Sequence, residues 1–132
     1  MSERTEPGIR LIDLLADASS VGVEQTLDDD VRFRSPFADY AGSADVAHLV
    51  GLIREVLVDV APVRRLHEQD ATISLFEAHV AEEEVQGLLF EQSGADGRLV
   101  DVMLTIRPYS GLRAAMKAMQ VRMEAAPLPS AR

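Results

Sequence analysis

The sequence predicts an α+β domain with a largely antiparallel sheet, and three observations lead there. Apolar residues recur at helical spacing near the start and again after Gly42. The period then shortens to two, from Val63 to Arg107. After Pro108 it returns to helical spacing. Helices and strands are therefore segregated along the chain, which disfavours alternating βαβ units and a parallel sheet.

From Ile9 the positions Leu11, Leu14, Leu15 and Ala18 follow one helical face. A second short helix is expected over Val21 to Leu27, with Asp28, Asp29 and Asp30 forming a turn after it. Val31, Phe33 and Ser35 alternate with Arg32 and Arg34 as a strand that ends at Pro36, where a missing N–H is tolerated. After Gly42, Ser43 is placed to cap a long helix, and Asp45 puts a negative charge in its first turn. The apolar stripe of that helix is Val46, Leu49, Val50, Ile53, Val56, Leu57 and Val60, and Pro62 is expected to stop it. Strands follow over Val63–Gln69, Ala71–Ala81, Glu84–Gln92 and Arg98–Arg107. Ser93-Gly94-Ala95-Asp96-Gly97 supplies a hairpin connection with glycines available for positive φ. Ser110 is positioned to cap a last helix whose stripe is Leu112, Ala115, Met116, Met119 and Met123.

The chain has 132 residues, 47% of them hydrophobic and 27% charged, which suits one soluble domain with a core of its own. Residues 1–8 and 124–132 are polar or rich in proline and small residues, and are expected to be flexible ends around a domain over 9–123. No basic run followed by an apolar stretch suggests a secretory signal, and no stretch approaches the roughly 18 uncharged apolar residues of a membrane span. The expectation is a cytoplasmic protein that binds neither membrane nor nucleic acid. A net charge of −9, with arginines scattered along the chain, would repel a phosphate polymer. Without cysteine there is no disulfide, thiolate chemistry or sulfur-ligated metal.

The order of elements, together with Asp30-Val31-Arg32-Phe33-Arg34-Ser35-Pro36, Gly42 before the long helix, and Asp96-Gly97-Arg98-Leu99 leading to Ile106-Arg107-Pro108, resembles the SnoaL-like, nuclear transport factor 2-like superfamily. The resemblance runs from Ile9 to Met123. It implies a cone: a curved sheet wrapped around the long helix, with a small-molecule pocket inside. The superfamily includes ketosteroid isomerases, polyketide cyclases, epoxide hydrolases and pocket proteins without a reaction, so the fold alone does not choose.

The chemistry of the ketosteroid isomerases needs a carboxylate base on the first strand, with a tyrosine and a protonated acid as oxyanion donors. The resemblance puts Ser35, an apolar residue near Leu11, and Leu89 at those places, so that chemistry is not expected here. The cyclase and hydrolase branches direct attention to Asp101 and Arg107. Asp101, however, shares its strand face with Leu99, Met103 and Thr105, whereas Val100, Val102, Leu104 and Ile106 form the apolar face better suited to the interior.

Ser35, Tyr40, His48 and Asp101 are thus the weak catalytic candidates. Phe33, Ser35, Tyr40, Leu49, Val50, Leu89, Val102, Leu104 and Ile106 are the expected ligand-binding set. No cofactor is expected, and no metal, because His67, Glu77 and His79 lack ligand spacing. Met116, Met119 and Met123 either fill core gaps or form an adaptable lid over an apolar ligand. The opposite sheet face carries Leu88, Phe90 and Met103 among polar residues, which predicts a homodimer interface. Two functions stay open. One is binding of a small, mostly apolar molecule, with cofactor-independent isomerase, cyclase or hydratase activity as the reaction classes. The other is a non-enzymatic dimeric interaction protein with a vestigial pocket.

Overall fold

The computed structural model describes residues 10–16 and 22–131. Ile9, Ala18 and Val21, and the ends at 1–8 and 132, lie outside them. The elements run α1 (Leu11–Ala16), β1 (Leu27–Arg34), β2 (Asp39–Ala41), α2 (Ser43–Val56), β3 (Val58–Glu68), β4 (Ala71–Val80), β5 (Glu83–Ser93), β6 (Leu99–Arg107) and α3 (Tyr109–Ala125). The strands form one curved sheet in the order β2-β1-β6-β5-β4-β3. All neighbours are antiparallel except β1 and β6, which are parallel. The α+β cone expected from the sequence is the architecture found.

Its core forms where the apolar phases of helix and strands meet. Val46, Leu49, Val50, Ile53 and Val56 of α2 are buried against Phe33 of β1, Phe76 of β4, Leu89 of β5, and Val102 and Leu104 of β6. Leu89 and Leu104 face each other in register on the inner face. Gly87, beside them, is needed for space rather than flexibility. A Cβ there would stand 2.3 Å from the Phe76 ring.

Several boundaries differ from the sequence expectation, each for a physical reason. In place of a helix over Val21–Leu27 there is a single 3-10 turn, Val23–Thr26, and Leu27 already belongs to β1. The Asp28–Asp30 triplet lies in that strand, at an irregularity in its pairing with β6. Asp28 and Asp29 face Arg98 at 3.7 and 3.8 Å, which offsets their crowding. The long helix ends at Val56, well before Pro62. Val60 turns inward from β3, and Pro62 sits on that outermost strand, where an absent N–H disturbs little.

The caps shift as well. Gly42, at φ 94°, takes the position expected of Ser43, since only glycine adopts that backbone without strain. Pro108 precedes α3, and Ser110 lies inside its first turn, where it donates to Glu83 at 3.3 Å. A bulge between β5 and β6 turns Leu99 inward, where it is 1% exposed, although strict alternation would put it outside. Residues 124–131, expected to be a flexible tail, contact α2. Ser130 donates through its backbone N–H and its hydroxyl to the two carboxylate oxygens of Asp45, at 2.9 and 2.5 Å.

Candidate functional site

The two ends of the inner sheet face carry different chemistry. At the α1 end, Thr72, Ser74, Glu91 and Ser93 continue the inward phase of β4 and β5, and all are buried. Glu91 is fully buried. Its carboxylate accepts the Leu11 amide at 2.7 Å and, more loosely, the Ile12 amide at 3.4 Å. Arg10 donates to the Ser93 hydroxyl at 2.5 Å, and the Thr72 hydroxyl meets His67 Nδ1 at 2.9 Å. Burial pushes the Glu91 carboxyl up to about 7, against the opposing pull of the two amides and Arg10. Sequence reasoning missed this acid. Its signal was present: the series Val85, Gly87, Leu89 reaches Glu91 at the next inward step.

Of the expected ligand-binding residues, Phe33, Leu49, Val50, Leu89, Val102 and Leu104 do come together, but as packed core, each no more than 3% exposed. Ile106 lies at their margin. Among cavities bordered by described residues, the one touching Leu104 and Ile106 has about 10 Å³, roughly the space of one water. Ala115 and Met119 of α3 fill that position.

Ser35 does not join them. Its hydroxyl accepts the amides of Phe37 and Ala38, both at 3.1 Å, and donates to the Ala38 carbonyl, closing the β1–β2 turn. A hydroxyl so engaged has no free lone pair to serve as a base. His48 Nε2 donates to the Ala126 carbonyl at 2.7 Å, which ties the end of α3 to α2 and occupies that nitrogen. Asp101 points outward, paired with Arg34 at 2.9 Å and Arg32 at 3.8 Å. Among the described residues no three His, Asp or Glu side chains converge to hold a metal. His67 bonds Thr72 on the inner side of β4, whereas His79 faces Asp59 on the other.

Of the catalytic candidates, Tyr40 borders open space. Between the β1–β2 hairpin and α3 lies an open groove of about 540 Å³. Phe37 and Tyr40 form one wall, and Tyr109, Met116, Met119 and Met123 of α3 form the other, with Arg113 and Lys117 at the rim. Burial raises the Tyr40 phenol above its ordinary value, so it stays a neutral hydrogen-bond donor at physiological pH. The two readings of the methionine stripe divide here. Met119 is 5% exposed and fills core, while Met116 is 45% exposed and faces the groove. Among the described residues no helix is long and apolar enough to cross a membrane.

No protein-family model matches the sequence, and no curated protein does. Solved structures do. A steroid delta-isomerase from Pseudomonas aeruginosa is 33% identical, with 85% of each chain covered and a TM-score of 0.80. A bacterial protein with a cystatin-like fold from Silicibacter pomeroyi is 24% identical, over 89% of this chain and 84% of that one, with a TM-score of 0.83. A SnoaL-like protein from Burkholderia thailandensis, 15% identical over 74% of this chain and 89% of its own, superposes with a TM-score of 0.61. With its six-stranded curved sheet wrapped on α2, and a relative at one-third identity over most of both chains, the chain belongs to the SnoaL-like, nuclear transport factor 2-like superfamily.

Proposed function

We propose that the chain binds a small, mostly apolar molecule in the groove between the β1–β2 hairpin and α3. The observation that carries this reading is the wall itself. Phe37, Tyr40, Met116, Met119 and Met123 line one concavity from two distant parts of the chain, large enough for a drug-sized molecule. Methionines adapt to irregular apolar shapes, and each Å² of apolar surface removed from water contributes roughly 25 cal/mol. The reaction classes compatible with such a site are cofactor-independent isomerisation, cyclisation or hydration, with Tyr40 as the available proton donor. Ketosteroid-type isomerisation is not among them. Ser35 is committed to its turn, Leu89 packs on Leu104, and Glu91 is sealed under the α1 amides. A cytoplasmic setting, expected from the cysteine-free sequence, belongs to the same proposal.

A neutral dye such as N-phenyl-1-naphthylamine tests the binding site. Its fluorescence should rise on addition of the protein, and Met116→Glu should weaken binding about tenfold by placing a charge in the apolar wall. An unchanged affinity in that variant would locate the dye elsewhere and defeat the reading.

A second reading, a dimeric interaction protein, is favoured by the outer sheet face. Leu66, Ile73, Phe90 and Met103 stand in one cross-strand row, with Leu75 and Leu88 in the next. Leu66 is 50% exposed and Leu88 43%, an apolar band of the kind subunit interfaces cover. Sedimentation should show a homodimer, and Phe90→Glu should convert it to monomer, because the carboxylate would be desolvated on association. A wild-type monomer at micromolar concentration would remove this reading.

A further inference from the structure

The distribution of charge around the groove says more about its occupant than the apolar wall does. The chain carries −9 overall, yet between Val102 and Met123 there are four cations, Arg107, Arg113, Lys117 and Arg122, and no acid. Two of the four are accounted for. Arg107 donates to Gln86, and Arg122 pairs with Glu55 at 3.0 Å. Arg113 and Lys117 have no ion-pair or hydrogen-bond partner among the described residues, and both line the groove. They stand four positions apart on α3, where like charges are neighbours and repel. The chain has 22 acidic residues, and none of those among the described residues pairs with either cation.

Resting on the reading of the groove as a ligand site, we propose that its occupant is an amphipathic carboxylate: an apolar body lying on Phe37, Tyr40 and Met116, with its anionic head on Arg113 and Lys117. The guanidinium can hold a carboxylate through two parallel N–H donors, while the ammonium acts as a second positive point charge. The Tyr40 hydroxyl, which has no hydrogen-bond partner among the described residues, adds a neutral donor on the facing wall. A neutral ligand would leave the repulsion between the two cations unrelieved, and a cationic one would increase it. The negative field of the remaining surface would slow the approach of an anion but leave its contact with the two cations intact, since screening confines exposed charge interactions to within about 10 Å at ordinary salt.

The molecule supplies its own reporter. Its two tyrosines, Tyr40 and Tyr109, both line the groove, and there is no tryptophan, so tyrosine emission reads this site alone. Octanoate, 1-octanol and octylammonium share one apolar body and differ only in the head. Titrated into the full chain, octanoate should bind about tenfold more tightly than octanol, and octylammonium most weakly. Added salt should weaken octanoate and leave octanol unchanged. The double variant Arg113→Gln/Lys117→Gln changes two exposed side chains and should keep the wild-type circular dichroism. It should bring octanoate down to the affinity of octanol without altering octanol itself. Equal binding of octanoate and octanol to the wild type would overturn the carboxylate assignment while sparing the groove. Failure of both to change the tyrosine signal would overturn the groove as well. A response only to vesicles of phosphatidylcholine with phosphatidylglycerol would replace the small molecule with a membrane surface.

Discussion

The α1 end and the α3 end of the inner sheet face are built from opposite materials. At the α1 end an acid, a base and three hydroxyl residues lie buried, most of them bonded to each other or to backbone amides. At the α3 end aromatic and methionine side chains line open space, and the cations Arg113 and Lys117 beside them have no partner among the described residues. Polar groups that find partners inside a fold hold it together. Polar groups left without partners beside an apolar concavity are available to something that arrives from outside. The difference directs functional attention to α3, although the most perturbed acid lies under α1.

The largest expected effect concerns the layer between the two ends. Leu89→Asp would bury a carboxylate opposite Leu104, beside a cavity of only about 10 Å³, and should cost about 3–5 kcal/mol of unfolding free energy at neutral pH. Urea denaturation measures it. A loss below about 1 kcal/mol would mean that the middle of the cone is open, and the contrast between packed core and groove would collapse.

Glu91 gives the next. Its carboxyl titrates near 4.5 when unfolded and about 7 when folded, so the folded state holds the proton more firmly. The stability this group contributes is full below pH 4.5 and is lost as pH rises towards 7, on the order of 3 kcal/mol across that window. Glu91→Gln should flatten the corresponding slope between pH 5 and 7, as followed by thermal melts. An unchanged slope would show that the α1 end does not bury its acid.

The smallest effect belongs to the β1–β2 turn. Ser35→Ala removes the acceptor for two amides, those of Phe37 and Ala38, and should cost about 1 kcal/mol. Because Phe37 is part of the groove wall, the variant should also weaken octanoate slightly. A strong loss of ligand with no loss of stability would return Ser35 to the site.

How much of this was legible in the sequence follows from what periodicity can carry. The α2 stripe and the inward phases of β5 and β6 were legible because burial on one face imposes a regular alternation. Leu89 and Leu104 could be placed together on that basis. Glu91 obeyed the same alternation but escaped notice, since a charged residue ordinarily marks the wet side of a strand. The end of α2 was misjudged because Val60 fits both a helical stripe and the inward side of β3. The groove was hidden for another reason. Phe37 and Tyr40 are separated from Met116 by some seventy to eighty residues, and nothing local says that they meet. Nor can spacing reveal that Arg113 and Lys117 lack partners among the described residues, which depends on where the carboxylates of distant segments lie.

The parallel pairing of β1 with β6 has a kinetic consequence. The strands from β3 to β6 are neighbours in sequence as well as in space, so their hairpins can form by closing short loops. β1 registers with residues about seventy positions further along, and its loop-closure entropy must be met before any contact rewards it. During synthesis from the N-terminus, β1 and α2 emerge long before β6 and wait without their partner. The meander from β3 to β6 should therefore gain hydrogen-exchange protection first, with β1 acquiring it only as the chain closes. The hairpin carrying Phe37 and Tyr40 pairs with β1, and α3 follows β6, so the groove would be among the last features of the molecule to exist.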